Sequence, residues 1–282
     1  MKLLVDIGNS RVKWAFGTAG RLVGHGDALL DGAAGLRPLL DSHWGPDDIR
    51  IANVAGTAAG AWIAARLEER FGVAPVFARS AATGAGVRNG YIEPGQLGVD
   101  RWLAICAAFA SYRGPVCVAD AGTATTIDIV APGGEHQGGL ILPGIELMQS
   151  ALLRGTGDLA RLFGTADGLV AGGFVGGNVP DVLGPSIMLG RDTATAIRYG
   201  ALQATASLVR ACMARLSDGA LPGAVLPALL LTGGAAPALQ AALLGSDTAP
   251  DAGPSPGFRL MYRPHLVLEG LALDPVCFGV VG

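Results

Sequence analysis

Hydrophobic and polar positions along this chain follow two regimes. Leu3-Leu4-Val5 is a continuous apolar run that stops at Asp6, Gly8-Asn9-Ser10 is polar, and then Val12, Trp14 and Phe16 alternate with Arg11 and Lys13. A continuous run predicts a buried strand and a period of two predicts a half-buried one, so residues 3–17 read as strand, turn, strand. The pattern returns at 115–130, PVCVADAGTATTIDIV: an apolar strand ending at Asp120, then Gly122, Thr123 and Thr125, then another apolar strand. Self-similarity at so long an interval predicts two related halves, because a solenoid repeats every ~20–50 residues.

After the first hairpin the pattern predicts a strand over 21–26, a short helix around 36–40 and a strand over 49–54. A helix follows over 60–71, with Trp62, Ile63, Leu67 and Phe71 as its buried stripe, then an edge strand over 73–77 containing Pro75. That outline, βββαβαβ, predicts an α/β domain with a mixed sheet. Residues 80–99 are rich in Gly, Ala and Asn and lead into a helix over 102–112, with Trp102, Ile105, Cys106 and Phe109 on its buried side. Asp100 falls in the N-cap region of that helix, and taken alone it reads as a cap.

The second half restarts with a strand over 116–120. Strands over 123–130 and 137–142 follow, and Pro143-Gly144 turns the chain into a helix over 145–153. Residues 154–190 read as irregular. A long helix over 192–216 has Thr193 near its start, a buried strand over 229–231 runs into Thr232-Gly233-Gly234-Ala235, and residues 265–273 read as a closing helix. Gly-rich turns at the carboxyl end of a strand are where open α/β sheets bind ligands. Two domains are expected, 1–112 and 113–282, each carrying one of the hairpins.

Composition narrows the function. With 50% hydrophobic residues in 282 and a mean hydropathy of +0.44, the chain can bury a substantial core. No apolar run reaches membrane-span length, and the N-terminus opens on a strand without a signal-peptide profile. Cys106, Cys117, Cys212 and Cys277 are scattered in apolar contexts without Cys-x-x-Cys spacing, which predicts buried free thiols in a reducing cytoplasm. A net charge of −3 without a basic stripe argues against nucleic acid as a partner. His25, His43, His136 and His265 lack metal-ligand spacing and read as surface or local structural residues.

The lysines are Lys2 and Lys13, and neither follows a glycine. A Walker A loop is therefore excluded, and no strand-linked GxGxxG supports a nicotinamide site. The first hairpin turn nevertheless gathers a carboxylate, an amide, a hydroxyl, backbone N–H groups and Lys13. A carboxylate suits a metal, and N–H groups with an ammonium suit phosphates, which is what a nucleoside triphosphate requires. Taken alone, the same stretch also reads as an ordinary hairpin with polar turn residues.

The paired Asp-x-Gly hairpins and the late Thr-Gly-Gly-Ala turn resemble the superfamily of actin, sugar kinases, acetate kinase and heat-shock ATPases. Within it, the chain resembles type III pantothenate kinases in DIGNSRVK (6–13), GVDR (98–101), DAGTATT (120–126), GGLILPG (138–144) and RDTATAI (191–197). These stretches follow the family's order across nearly the whole chain. The resemblance implies an α/β fold of two ribonuclease-H-like lobes with mixed sheets and a nucleotide cleft between them. It implies transfer of the γ-phosphoryl of ATP to the 4′-hydroxyl of pantothenate, the first step towards coenzyme A. It further implies Mg2+ with ATP, a monovalent cation (K+ or NH4+) and a cytoplasmic homodimer whose substrate site lies near the subunit interface.

By the same resemblance Asp6, Ile7, Gly8, Asn9, Ser10, Arg11, Val12 and Lys13 cradle the ATP phosphates, with Asp6 near magnesium directly or through water. Thr123 touches ATP and Asp120 binds the monovalent cation. Asp100 is the general base; Tyr91, Gly98, Val99 and Arg101 line the pantothenate site; Thr193 reaches pantothenate from the neighbouring subunit. The Gly-rich segment 164–184 and the loop 245–257 depart from the compact family pattern. A phosphatase or a kinase for another small alcohol could share the fold, which alone does not separate them. An accessory protein without turnover would be expected to have lost one of the three aspartates.

Overall fold

A computed structural model of the chain describes residues 1–18, 21–30, 32–155, 188–218, 225–244 and 257–273. The segment 164–184, nearly all of the loop 245–257 and Cys277 lie outside the described residues. Contacts divide the chain into two compact units. One comprises Met1–Arg113, Gly133–Gly138 and the segment from His265; the other comprises Gly114–Pro132 and Gly139–Pro264.

The first unit contains β1 (Lys2–Ile7), β2 (Arg11–Thr18), β3 (Arg21–Leu29), α1 (Ala33–Leu40), β4 (Asp48–Asn53), α2 (Thr57–Phe71) and β5 (Val76–Phe77). Next come the two-residue strands β6 (Thr83–Gly84) and β7 (Val87–Arg88), a 3₁₀ turn at Pro94–Gln96, and α3 (Val99–Tyr112). The second unit holds β8 (Val116–Ala121), β9 (Ala124–Val130), most of β10 (His136–Pro143), α4 (Ile145–Gly155), α5 (Thr193–Ser217), β11 (Ala228–Thr232), α6 (Ala236–Leu244) and β12 (Arg259–Tyr262). The closing helix α7 (Leu266–Ala272) returns to the first unit.

The two sheets repeat one plan. The first has the order β3-β2-β1-β4-β5 and the second β10-β9-β8-β11-β12. In each, the leading strand pairs antiparallel with the strand that follows it and parallel with the strand after the first crossover. This is the ribonuclease-H-like arrangement used twice, with β1 and β8 as the central strands, each with an aspartate as its next-to-last residue.

Helices cover both faces of the first sheet, which is why β1 reads as unbroken apolar residues. Leu3, Val5 and Ile7 pack with Val12, Trp14 and Phe16 against Leu36 and Leu39 of α1 and Ile63 and Leu67 of α2. On the opposite face β1 contacts α7, and α7 lies against α3. The C-terminal carbonyls of α7 accept from cations on the sheet: Arg50 Nη1 donates to Leu271 O at 3.0 Å and Leu273 O at 3.2 Å, and Lys2 Nζ to Ala272 O at 3.4 Å. In the second unit Cys117, Ala119, Leu229 and Leu231 pack with Leu202 and Val209 of α5 and Leu239 of α6. Burial holds the Cys117 and Cys212 thiols above their usual pKa, so both stay protonated, and Cys106 is likewise a buried free thiol.

Several sequence expectations are corrected. α2 starts at Thr57, and its buried residues are Gly60, Ile63 and Leu67; Trp62 is 37% exposed. The helix predicted over 102–112 starts at Val99 and is buried continuously from Arg101 to Phe109, because α7 covers the side a lone amphipathic helix would show to water. Asp100 does not cap it. Gly98 is the N-cap residue and Asp100 lies inside the first turn. Strands β6, β7 and β12 carry too few residues to show a period and were not anticipated.

Candidate active site

The first hairpin turn sits at the end of β1, where the buried Asp6 carboxylate gives way to exposed Asn9 and Ser10. Register places Asp6 opposite Lys13 and Lys13 opposite Asp27, so the three side chains form a row on one face of the sheet. Val12, Trp14 and Phe16 point the other way into the core. The Gly8 N–H donates to Arg11 O at 2.9 Å and closes the turn; the Leu30 N–H donates to Ser10 O at 3.0 Å and ties the turn to the end of β3. Arg11 pairs with Asp27, its Nε donating to Oδ2 at 2.7 Å, which leaves the Arg11 guanidinium turned along the sheet. Asp6, Ile7, Gly8, Asn9, Ser10, Arg11, Val12 and Lys13 thus form one local structure, with Ile7 and Val12 buried as its apolar floor.

The second turn follows β8 in the same way. Asp120 lies opposite Thr126 on β9 and Thr232 on β11. The Gly122 N–H donates to Ala124 O at 3.1 Å and Thr123 is exposed at the tip. The Thr-Gly-Gly-Ala turn after β11 comes to the same place. Gly233, at φ +90°, lies beside Ala121 and Asp120, and the Ala235 N–H donates to Ala121 O at 2.9 Å. Oxygen donors of this kind suit hard cations.

The third cluster lies at the start of α3, in the first unit. Asp100 Oδ1 accepts the Arg101 N–H at 2.8 Å. A Cβ on Gly98 would lie 2.6 Å from that oxygen, so a side chain there would displace the carboxylate. Arg101 is only 7% exposed and its Nη1 donates to the Tyr91 hydroxyl at 2.8 Å. Tyr91 is held from below: its N–H donates to Asn89 Oδ1 at 3.0 Å, while Asn89 Nδ2 donates to Ala81 O and Pro94 O. Gly98, Val99, Asp100, Arg101 and Tyr91 are therefore brought together.

Thr193 is exposed as the first residue of α5, in the second unit. The helix is started by Asp192, whose side chain accepts the Thr195 N–H at 2.9 Å in a reciprocal capping box. That hydrogen bond holds the Asp192 carboxyl below its usual pKa.

Sequence reading missed two supporting residues. Asn89 carries no signal outside its partners. His136, read as surface or local structure, is 3% exposed and stacks on Tyr91, with ring centroids 6.0 Å apart and planes 13° apart. Among the described residues no three His, Cys, Asp or Glu side chains form a metal cage. A single buried carboxylate at Asp6 fits magnesium that arrives on phosphates, since that ion is commonly held by one or two carboxylates plus the substrate. Among the described residues no helix is long and apolar enough to cross a membrane.

Comparison with known proteins agrees with these features. The family model of type III pantothenate kinase matches residues 2–215. A type III pantothenate kinase of Aromatoleum aromaticum is 35% identical over 273 residues, covering 97% of each chain. One of Halorhodospira halophila is 36% identical over 280 residues, covering 96% of each. Among solved structures, a Campylobacter jejuni protein described as a conserved Baf family transcriptional activator superposes with a TM-score of 0.51 at 19% identity, over 95% of this chain and 94% of that one, which is a likeness of fold alone. With the family model spanning both hairpins and the start of α5, the chain belongs to the type III pantothenate kinase family.

Proposed function

We propose that this chain transfers the γ-phosphoryl group of ATP to the 4′-hydroxyl of pantothenate. The observation that carries the reading is the constellation at the start of α3, where Asp100 and Arg101 are neighbours in the first turn of the helix and Arg101 reaches the hydroxyl of Tyr91 in the preceding loop. One end of the cluster can accept a proton and the other can hold an acid, which matches a substrate with a hydroxyl at one end and a carboxylate at the other.

Asp100 takes the proton of the 4′-hydroxyl as its oxygen attacks the γ-phosphorus. The phosphorus–oxygen bond to ADP breaks and ADP leaves with the electron pair; the proton passes from Asp100 to solvent. Arg101 and the Tyr91 hydroxyl orient the carboxylate of pantothenate, a task suited to the fixed fork of a guanidinium. Gly8, Asn9, Ser10 and Lys13 hold phosphate oxygens with N–H, amide, hydroxyl and ammonium donors, and Thr123 adds a hydroxyl contact to ATP. Phosphoryl transfer depends chiefly on such positioning and charge neutralisation. Magnesium, when bound, neutralises phosphate charge, and Asp6 is the residue that would hold it. Asp120, with the glycines around it, would hold K+ or NH4+. Thr193 completes the pantothenate site of a second copy in a homodimer, and the enzyme works in the cytoplasm.

The test is direct: incubate purified protein with ATP, magnesium, potassium and pantothenate, and detect 4′-phosphopantothenate. Well-folded protein that forms none overturns the reading.

A further inference from the structure

We propose that His136 is a positioning residue for substrate, acting through Tyr91 and requiring a neutral imidazole. The inference rests on the pantothenate kinase reading and extends it to a residue that touches neither the reacting atoms nor the substrate.

His136 opens β10 but belongs with the first unit through the segment Gly133–Gly138. That segment lies against the stretch leading to Tyr91: the Arg88 N–H donates to Gly134 O at 2.9 Å, Arg88 bridges Glu135, and a Cβ on Gly90 would lie 1.8 Å from His136 O. The backbone of 90–91 is thus pressed onto that of 136. The His136 ring adds two directed contacts. Its Nδ1 accepts the Gly90 N–H at 3.3 Å, and its face stacks on Tyr91. Consecutive N–H groups, those of Gly90 and Tyr91, are therefore both received by side chains, His136 and Asn89. The phenol they aim receives Arg101.

A ring nitrogen accepts only when it is deprotonated, so the neutral tautomer with its proton on Nε2 is the one that fits. The charged and titratable groups around the ring are the Tyr91 phenol, Arg101 beyond it, and the Glu135–Arg88 ion pair beside it along the chain. Protonation turns Nδ1 into a donor aimed at the Gly90 donor and adds a positive charge near Arg101. Tyr91 loses its seat, and Arg101 loses the phenol oxygen as an acceptor.

Steady-state kinetics of the full chain test this. His136→Phe keeps a ring for Tyr91 but removes the acceptor; His136→Asn places an oxygen near the Nδ1 position and does not titrate. For His136→Phe the pantothenate KM rises about tenfold, as expected for a lost hydrogen bond at a buried donor, with kcat and the ATP KM within threefold of wild type. His136→Asn recovers part of that loss. In the wild type the pantothenate KM rises as the pH is lowered, and in His136→Asn that rise is absent. Wild-type kinetics in His136→Phe, equal losses for both substrates, or an unchanged pH profile in His136→Asn would each overturn the role of His136. Lack of turnover by wild-type protein would instead overturn the kinase reading itself.

Discussion

Gly233 lies against Asp120 so closely that a Cβ on it would stand 2.5 Å from Oδ1, and 2.5 Å from the carbonyl of Ala121. The Ala121 carbonyl has no room to retreat, since it belongs to the backbone at the end of the central strand β8. Gly233→Ala combines left-handed strain with overpacking and should cost about 2–4 kcal/mol. Urea denaturation measures this, and an unchanged midpoint would contradict the crowding.

Asp120 itself is separable from that packing. Asp120→Asn keeps the shape and removes the charge proposed to hold the monovalent cation. Activation by potassium or ammonium should fall by about 10²-fold, the scale of losing one electrostatic stabiliser. Titration of activity with KCl against a sodium control reads it out; an undiminished response removes Asp120 from that role.

Asp100→Asn removes the proposed base and leaves the first hairpin untouched. Turnover should drop by ~10²–10⁴-fold while binding of an ATP analogue, followed by calorimetry, stays at the wild-type level. Full turnover in this variant would show that the proton goes elsewhere.

Arg101→Lys keeps a positive charge but loses the fork that serves the Tyr91 hydroxyl and a carboxylate together. The pantothenate KM should rise by ~10–100-fold, with a smaller change in kcat. Equal KM values in the two proteins would mean the guanidinium geometry is irrelevant.

His265 supplies a pH dependence of stability. It holds the N-cap position of α7, its Nδ1 is buried with no hydrogen-bond partner among the described residues, and its ring faces His25 at 4.7 Å. Burial first, then His25 and Lys13, lower its pKa, against weaker opposing pulls from Glu269 and Asp27. A histidine lowered in the folded state binds its proton more readily when unfolded. Its contribution is therefore complete above the unfolded value near ~6.5 and is lost as pH falls through the folded one. The thermal midpoint of wild type should climb with pH in that window and then level off. His265→Asn, which does not titrate, should show less of this climb; parallel curves would dismiss the residue as its source.

Local pattern alone determined both hairpins, the aspartates at their strand ends and the order of helices and strands around them. Strand periodicity and turn chemistry act over a few residues, so they are written where they operate. The resemblance of five short stretches to one family was likewise legible, because each stretch is contiguous. Tertiary structure decided what depends on a distant partner. Trp62 has helical spacing yet stays exposed, because only the Ile63 and Leu67 side meets the sheet. Asp100 reads as a cap until Gly98 is seen to hold that position. His136 stands 45 positions from Tyr91 (136 − 91), and nothing in either local sequence reveals that one ring is the seat of the other. Strand β12 exists only as a partner for β11, since four residues are too few to carry a period of their own.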